Sequence, residues 1–230
     1  MLLLTMTALA GERTFAFSYG YGTVPKGGIE VEHYATATRP EGAVGPSWQH
    51  QLELEYGITD RLEGGLYLVA EQGPGEPLAY SGYKARLRYR FGAQGVGPVD
   101  VGMYAEYIGS ASGTEHAGEL KLIVAKDVES FVSALNVEYK LTVGEELEHE
   151  IEPTLGLGYR IQPWFALGAE GKAEFELGEE VESLFFVGPS VHLAGEGGVL
   201  WWTVAALAPL NAEAREHDGV IVRSLIAVNL

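Results

Sequence analysis

The 230-residue chain contains no cysteine. Without cysteine it forms no disulfide bridges and no Cys-ligated zinc or iron–sulfur sites, and it has no thiolate for catalysis. Basic residues are also scarce, since 15 Lys and Arg stand against 32 Asp and Glu, a formal charge of −17. Binding a nucleic-acid backbone requires clustered Lys and Arg, so we expect no nucleic-acid partner.

Long apolar runs are missing as well. Hydrophobic residues make up 47% of the chain, yet no stretch approaches the roughly 18 to 20 residues that a membrane helix needs. A helical membrane protein is therefore excluded. Glycine and tyrosine are plentiful, with 31 and 12 copies. This composition is ordinary for an outer-membrane barrel, whose strands approach closely at glycines and carry aromatic girdles.

The stretch from Trp48 to Glu71 shows the unit that the chain repeats. Apolar and polar side chains alternate from Trp48 to Tyr56, a short connection follows, and the alternation resumes at Leu62. A period of two residues is that of a β-strand with two different faces. Two such runs joined by a tight connection predict an antiparallel hairpin.

The same alternation continues to the C-terminus. It predicts about twelve strands, at residues 29–38, 48–56, 62–71, 83–91, 99–108, 119–125, 131–141, 150–160, 165–177, 184–193, 200–208 and 220–230. Short turns alternate with longer, more polar loops, which is typical of a transmembrane barrel with periplasmic turns and extracellular loops. We therefore predict an all-β fold, a single antiparallel up-and-down transmembrane β-barrel over residues 29–230.

Two segments precede this predicted barrel. Residues 1–10 are apolar and end in the small-x-small pattern that signal peptidase reads, so we interpret them as the remnant of a secretory signal. Residues 11–28 form a separate N-terminal segment in which apolar side chains alternate from Phe15 to Tyr21. Three placements fit this segment: a partial thirteenth strand, a tail tucked into the lumen, or a periplasmic cover.

The densest charge feature is a row of cations on one face of a predicted strand, Lys84, Arg86, Arg88 and Arg90. Arg or Lys on the lipid face near the midplane costs about 2–4 kcal/mol, so these side chains must point into the barrel. The same parity rule predicts a lumen lined also by Glu53, Glu55, Asp100, Glu106, Glu119, Lys121, Glu138, Lys140, Glu170 and Lys172. It further places Glu30, Glu32, Glu63, Glu150, Glu152, Glu174 and Arg223 inside.

Two roles are open for the cationic row. Facing acidic walls, it could create a transverse field that orients and selects solutes in a pore. Alternatively, the cations pair with glutamates, fill a narrow lumen and hold its shape. Neutralising the row would then leave buried glutamates unpaired, which is costly where water is scarce.

Two short motifs resemble those of a family of poorly characterised bacterial outer-membrane barrels, described as transporters or phenol-degradation-pathway proteins. The motifs are residues 56–63, YGITDRLE, and Phe17-Ser18-Tyr19 followed by Pro25-Lys26-Gly27. The resemblance implies a barrel in the bacterial outer membrane, with membrane lipid and the barrel-assembly machinery as partners. Residues 220–230 are similar to the signal that this machinery reads, although such signals usually end in Phe and this chain ends in Leu230.

Enzymatic and metal-binding motifs are weak in this sequence. The six histidines show no HExxH pattern or i, i+4 pairing, and none is followed two residues later by the serine that outer-membrane phospholipase A needs. We predict no enzyme, no metal and no cofactor.

The best-supported function is a narrow channel or transporter for small solutes, with the charged residues lining the lumen. A non-conducting structural barrel is one alternative. The other is a soluble β-barrel that binds a ligand inside, for which Leu52, Leu54, Leu87, Leu155 and Leu157 would point inward.

Overall fold

The computed structural model describes residues 12–178 and 181–230, so the predicted signal remnant at residues 1–10 lies outside the described residues. Twelve antiparallel strands form one closed barrel, in which each strand pairs with its sequence neighbours and the first pairs with the last. The strands are β1 Ile29–Arg39, β2 Ser47–Gly57, β3 Leu62–Gln72, β4 Ala79–Arg90, β5 Asp100–Ser110, β6 His116–Val128, β7 Phe131–Val143, β8 Leu147–Gln162, β9 Phe165–Leu177, β10 Val181–Ala194, β11 Leu200–Pro209 and β12 Val220–Asn229.

The predicted fold class and strand number are confirmed. Several strands are longer than the alternation predicts: β4 begins four residues earlier, β6 begins three residues earlier and ends three later, and β8 and β10 extend to 16 and 14 residues. These strands continue to pair through backbone hydrogen bonds beyond the residues whose side chains must face hydrocarbon. A short helix α1, Ala212–His217, lies in the connection before β12. No helix in the described ranges is long and apolar enough to cross a membrane.

Apolar side chains form the outer surface of the barrel. Leu66 in the middle of β3 is 63% exposed, and Leu52, Leu54, Leu87, Leu155 and Leu157 are all exposed as well. Closure leaves no strand edge unpaired, so every strand can be surrounded by hydrocarbon. The soluble alternative, which required those five leucines inside, is therefore wrong.

Aromatic side chains encircle the barrel near both ends. Exposed aromatics near the end with short turns are Tyr56, Tyr89, Phe91, Phe131, Tyr159, Trp164 and Trp202, and those near the end with long loops are Trp48, Tyr80, Tyr83, Tyr107, Tyr139 and Phe185. Such girdles are typical of the two membrane–water interfaces. Trp201 has the opposite parity and is buried inside, 1% exposed.

The N-terminal segment lies inside the barrel. Phe15, Ala16, Ser18 and Val24 are at most 2% exposed, and the segment forms no strand. Its later part lies at the turn end, where the Tyr21 hydroxyl donates to the Gly92 carbonyl over 2.7 Å. Of the three placements that the sequence left open, the structure shows the lumenal one. We call residues 12–24 the plug.

Candidate functional site

The innermost part of the plug is held by a single carboxylate. The backbone N–H groups of Ala16, Phe17 and Ser18 all donate to Glu170 on β9, over 2.8, 2.7 and 3.1 Å. A buried segment outside the sheet has no strand partner for its N–H groups, and each unpaired group would be costly. Glu170 therefore supplies what a neighbouring strand would otherwise supply.

Other side chains of the wall bind the plug in the same way. Asn136 on β7 accepts from the Tyr19 N–H over 2.6 Å and donates to the Tyr19 carbonyl over 3.0 Å. Glu63 accepts from the Val24 N–H over 2.6 Å. Polar contacts with several strands thus fix the plug along its length.

Apolar contacts complete the seating of the plug. The Phe15 ring packs with Ala125, Val132 and Ala134, and it lies against Gly156, where an added Cβ would be 2.6 Å from the ring. Phe17 packs against a different part of the wall, with buried side chains that include Leu184, Phe186, Leu207 and Ile221. The wall is therefore shaped to two specific plug side chains.

A cavity of about 730 Å³ extends from the plug toward the loop end of the barrel. Arg13, Phe17 and Tyr19 of the plug form its floor. On the turn side of the plug, the space around Phe15 and Tyr21 measures only about 40 Å³. Among the described residues, the plug therefore separates a roomy outer cavity from a much smaller space on its turn side.

The cavity wall is charged. Of the residues that the sequence predicted to line the lumen, those on the wall are Lys84, Glu106, Glu119, Lys121, Glu138, Lys140 and Lys172. Lys84 lies 3.1 Å from Glu106, and Lys121 lies 2.5 Å from Glu138 with its ammonium 4.6 Å from the centre of the Tyr19 ring. The described lining contains eleven acidic and six basic residues, a formal excess of five negative charges.

Arg86 and Arg88 belong to a different environment, a buried ion-pair network beside the plug. Arg86 binds Glu53 over 2.6 Å, Glu63 over 2.7 Å and also Glu55, and Arg88 binds Glu63 over 2.8 Å. All five side chains are at most 3% exposed. These residues point inward as predicted, but they pair with one another instead of lining the cavity.

Two other predicted residues lie at the turn end. Asp100 accepts from the Gly95 N–H over 2.8 Å and so holds the β4–β5 turn. Arg90 donates to the Asp60 carbonyl over 2.8 Å. The row of four cations is therefore divided among the cavity, the buried network and the barrel end, because successive inward residues of a strand differ in depth.

The cavity floor is the part that sequence reasoning did not assign. Arg13 donates to the Tyr34 hydroxyl over 2.9 Å, and its guanidinium lies 3.8 Å from the centre of the Tyr19 ring. The available signal was the aromatic alternation from Phe15 to Tyr21, which fits a strand equally well. Only a barrel already closed by twelve strands excludes a thirteenth.

Comparisons with known proteins extend this picture. No protein-family model matches the sequence, and no curated protein matches it. Among solved structures, an outer-membrane channel of Pseudomonas putida F1 is similar with a TM-score of 0.66 and 12% identity, covering 91% of this chain and 98% of that one. The NanC porin has a TM-score of 0.60 at 8% identity, with 88% and 100% covered. The KdgM porin, whose structure was also determined with oligogalacturonate, has a TM-score of 0.57 at 10% identity, with 86% and 98% covered.

These similarities are at the level of the fold. TM-scores of 0.57 to 0.66 show a shared backbone architecture. At identities of 8 to 12%, the substrate of a similar protein cannot be assigned to this chain. Together with the apolar exterior and the two aromatic girdles, these similarities confirm the predicted bacterial outer-membrane β-barrel.

Proposed function

We propose that the chain is a non-enzymatic outer-membrane channel for small solutes, closed in the present conformation by its own plug. The observation that carries this proposal is the outer cavity of about 730 Å³, which ends at the plug. In outer-membrane barrels the long loops face outward and the short turns face the periplasm. A solute would enter at the loops, and displacement of the plug toward the turn end would let it through.

The negative charge of the cavity wall favours the passage of neutral or cationic solutes. Eleven acidic against six basic lining residues give a negative field along the path, and charged side chains in a pore select ions by sign. Oligogalacturonate, the ligand named for the KdgM porin, is a polyanion, so that substrate does not suit this wall. Lys84 and Lys121, on the wall near the plug, moderate this negative charge.

A non-conducting structural barrel is the second candidate. The buried pairing of Arg86 with three glutamates favours it, because that network fills part of the lumen with fixed side chains. A barrel selected only for rigidity would have no need of a charged cavity next to the plug. We also propose that the barrel-assembly machinery inserts this chain, because the β12 sequence is similar to the signal that this machinery reads.

Planar-bilayer recordings of the full chain and of a variant lacking residues 12–22 test the channel. We expect rare openings for the full chain and steady, cation-selective conductance for the deletion variant. Replacing Lys84 and Lys121 with Gln should increase the cation selectivity of the open form, because it removes two positive charges from the path. Circular dichroism and heat-dependent gel migration verify that each variant is a folded barrel.

Folded deletion variants that never conduct would leave the structural barrel as the better description. Conductance that favours anions would contradict the assignment of solute charge, without affecting the gating role of the plug.

A further inference from the structure

Three buried glutamates converge near the turn end of the barrel. Glu30 and Glu32 point the same way from β1, because alternate residues of a strand share a face. Glu55 on β2 is paired in register with Glu30. One carboxylate oxygen from each of the three lies within 4.8 Å of the other two. The exposures are 0%, 0% and 1%, so the carboxylates meet in the protein interior.

Each of these carboxylates is only half satisfied. One oxygen of each is bound by a protein donor: Trp201 Nε1 donates to Glu30 over 3.0 Å, the Tyr34 hydroxyl donates to Glu32, and Arg86 donates to Glu55. The second oxygen of each, namely Glu30 Oε1, Glu32 Oε1 and Glu55 Oε2, has no hydrogen-bond partner among the described residues. Buried carboxylate oxygens are costly to leave without a partner.

The charged groups around these carboxylates do not balance one another. The buried cluster contains five carboxylates, those of Glu30, Glu32, Glu53, Glu55 and Glu63, and three guanidinium groups, those of Arg13, Arg86 and Arg88. Five negative charges against three positive charges leave a formal charge of −2. Isolated charge in a low-dielectric interior is strongly unfavourable. The cluster therefore lacks two positive charges at the place where three carboxylate oxygens lack partners.

We propose that Glu30, Glu32 and Glu55 form a site for one divalent cation of the size of Ca²⁺. Carboxylate oxygens are the ligands that such hard cations prefer. A Ca²⁺ ion with oxygens at about 2.3–2.6 Å spans ligand separations up to about 5 Å, whereas Mg²⁺ at about 2.0–2.1 Å spans only about 4 Å. The three oxygens lie within 4.8 Å of one another, a range that the larger ion can span. A charge of +2 also balances the cluster.

The site is connected to the plug. The Tyr34 hydroxyl bonds to Glu32 and also accepts from Arg13 over 2.9 Å. Arg13 in turn donates to the carbonyl of Ala16, near the innermost point of the plug, over 3.1 Å. A bound cation beside Glu32 therefore stabilises the wall against which the plug is seated. The proposal concerns the folded barrel and is independent of whether the barrel conducts.

Calcium binding to the purified full chain in detergent tests the site. Protein stripped with a chelator should take up one Ca²⁺ per chain in equilibrium dialysis, and Ca²⁺ should raise the temperature at which its gel migration changes. Because affinity follows the number of charged ligands, Glu30→Gln and Glu55→Gln should each weaken binding at least about tenfold. The double variant Glu145→Gln/Glu146→Gln, in an exposed loop, is the matched control and should bind as the parent does.

Three results would overturn the proposal. The first is stripped parent protein that binds no Ca²⁺ and unfolds at the same temperature with and without it, as expected if the carboxyls hold protons instead. The second is loss of binding in the loop variant, which would place the ion at the extracellular acids. The third is unchanged binding in both buried-site variants. If those variants do not fold, the calcium dependence of the parent and the loop control still decides the outcome.

Discussion

The contact between Phe15 and Gly156 offers a direct measure of how firmly the plug is seated. A methyl group added at Gly156 would lie 2.6, 2.6 and 2.8 Å from three atoms of the Phe15 ring. Unstrained carbon contacts are about 3.5–4.0 Å apart, so Gly156→Ala overlaps the ring by about 1 Å. The ring has little room to retreat, because Ala125 and Val132 pack with it.

The overlap exists only while the plug is in place. Overpacking of this kind costs about 1–3 kcal/mol, and the strain disappears when Phe15 leaves the wall. Since about 1.4 kcal/mol corresponds to a tenfold change in an equilibrium, Gly156→Ala should raise the displaced fraction about 5- to 150-fold. In a Phe15→Ala background the same substitution should have almost no effect, because the ring that it strikes is gone.

A single introduced cysteine can report the displacement, because the natural chain has none. Ser18 is fully buried at the innermost part of the plug and its hydroxyl has no partner among the described residues, so Ser18→Cys is a mild change. The rate of thiol labelling should rise with the displaced fraction. Gly118→Ala, where nothing lies within 4 Å of the added methyl, is the control. Equal acceleration by Gly156→Ala with and without the Phe15 ring would refute the reasoning.

Three further predictions follow from the same contacts. Glu170→Gln should accelerate labelling of the same cysteine reporter, because three N–H groups lose a charged acceptor and such bonds contribute about 1.5–3 kcal/mol each. Arg86→Met should lower the free energy of unfolding by about 3–5 kcal/mol in urea titrations, because Glu53 and Glu55 lose their guanidinium partner and Glu63 keeps only Arg88. Arg61→Met, at an exposed position, should change it by less than about 0.5 kcal/mol, and equal losses would count against the network. Leu66→Arg at mid-strand should lower the free energy of unfolding by about 2–4 kcal/mol, and Val128→Arg at a strand end by about 0–1 kcal/mol. A larger loss for Val128→Arg would contradict the placement of Leu66 near the middle of the membrane.

The wall of the barrel was predictable because one rule governs it. Hydrocarbon outside and charge inside impose strict alternation, so the sequence predicted all twelve strands and the inward direction of residues such as Arg86 and Glu53. Depth along the axis was not predictable in the same way. Inward residues on one strand are about 6.6–6.8 Å apart along it, so Lys84 reaches the cavity while Arg90 reaches the barrel end.

Pairing across strands was also beyond the sequence. Glu30 and Glu55 were both expected inside, but their convergence depends on the β1–β2 register, in which they are direct neighbours. The same strand register determines which carboxylates pair with a guanidinium group. Metal-site motifs in a sequence are short spacings such as HExxH, and three glutamates separated by up to 25 positions form no such motif.

The plug shows why a segment with strand-like alternation does not become a strand. Once β1 pairs with β12, the barrel has no edge to which another strand could be added, so the N–H groups of residues 16–18 must find acceptors among side chains. Glu170 is suited to that purpose because one ionised carboxylate accepts several bonds. When the plug leaves, the same carboxylate must be hydrated or meet a cation, and one more negative charge faces the open path. Displacement of the plug would therefore open the path and strengthen its attraction for cations in a single step.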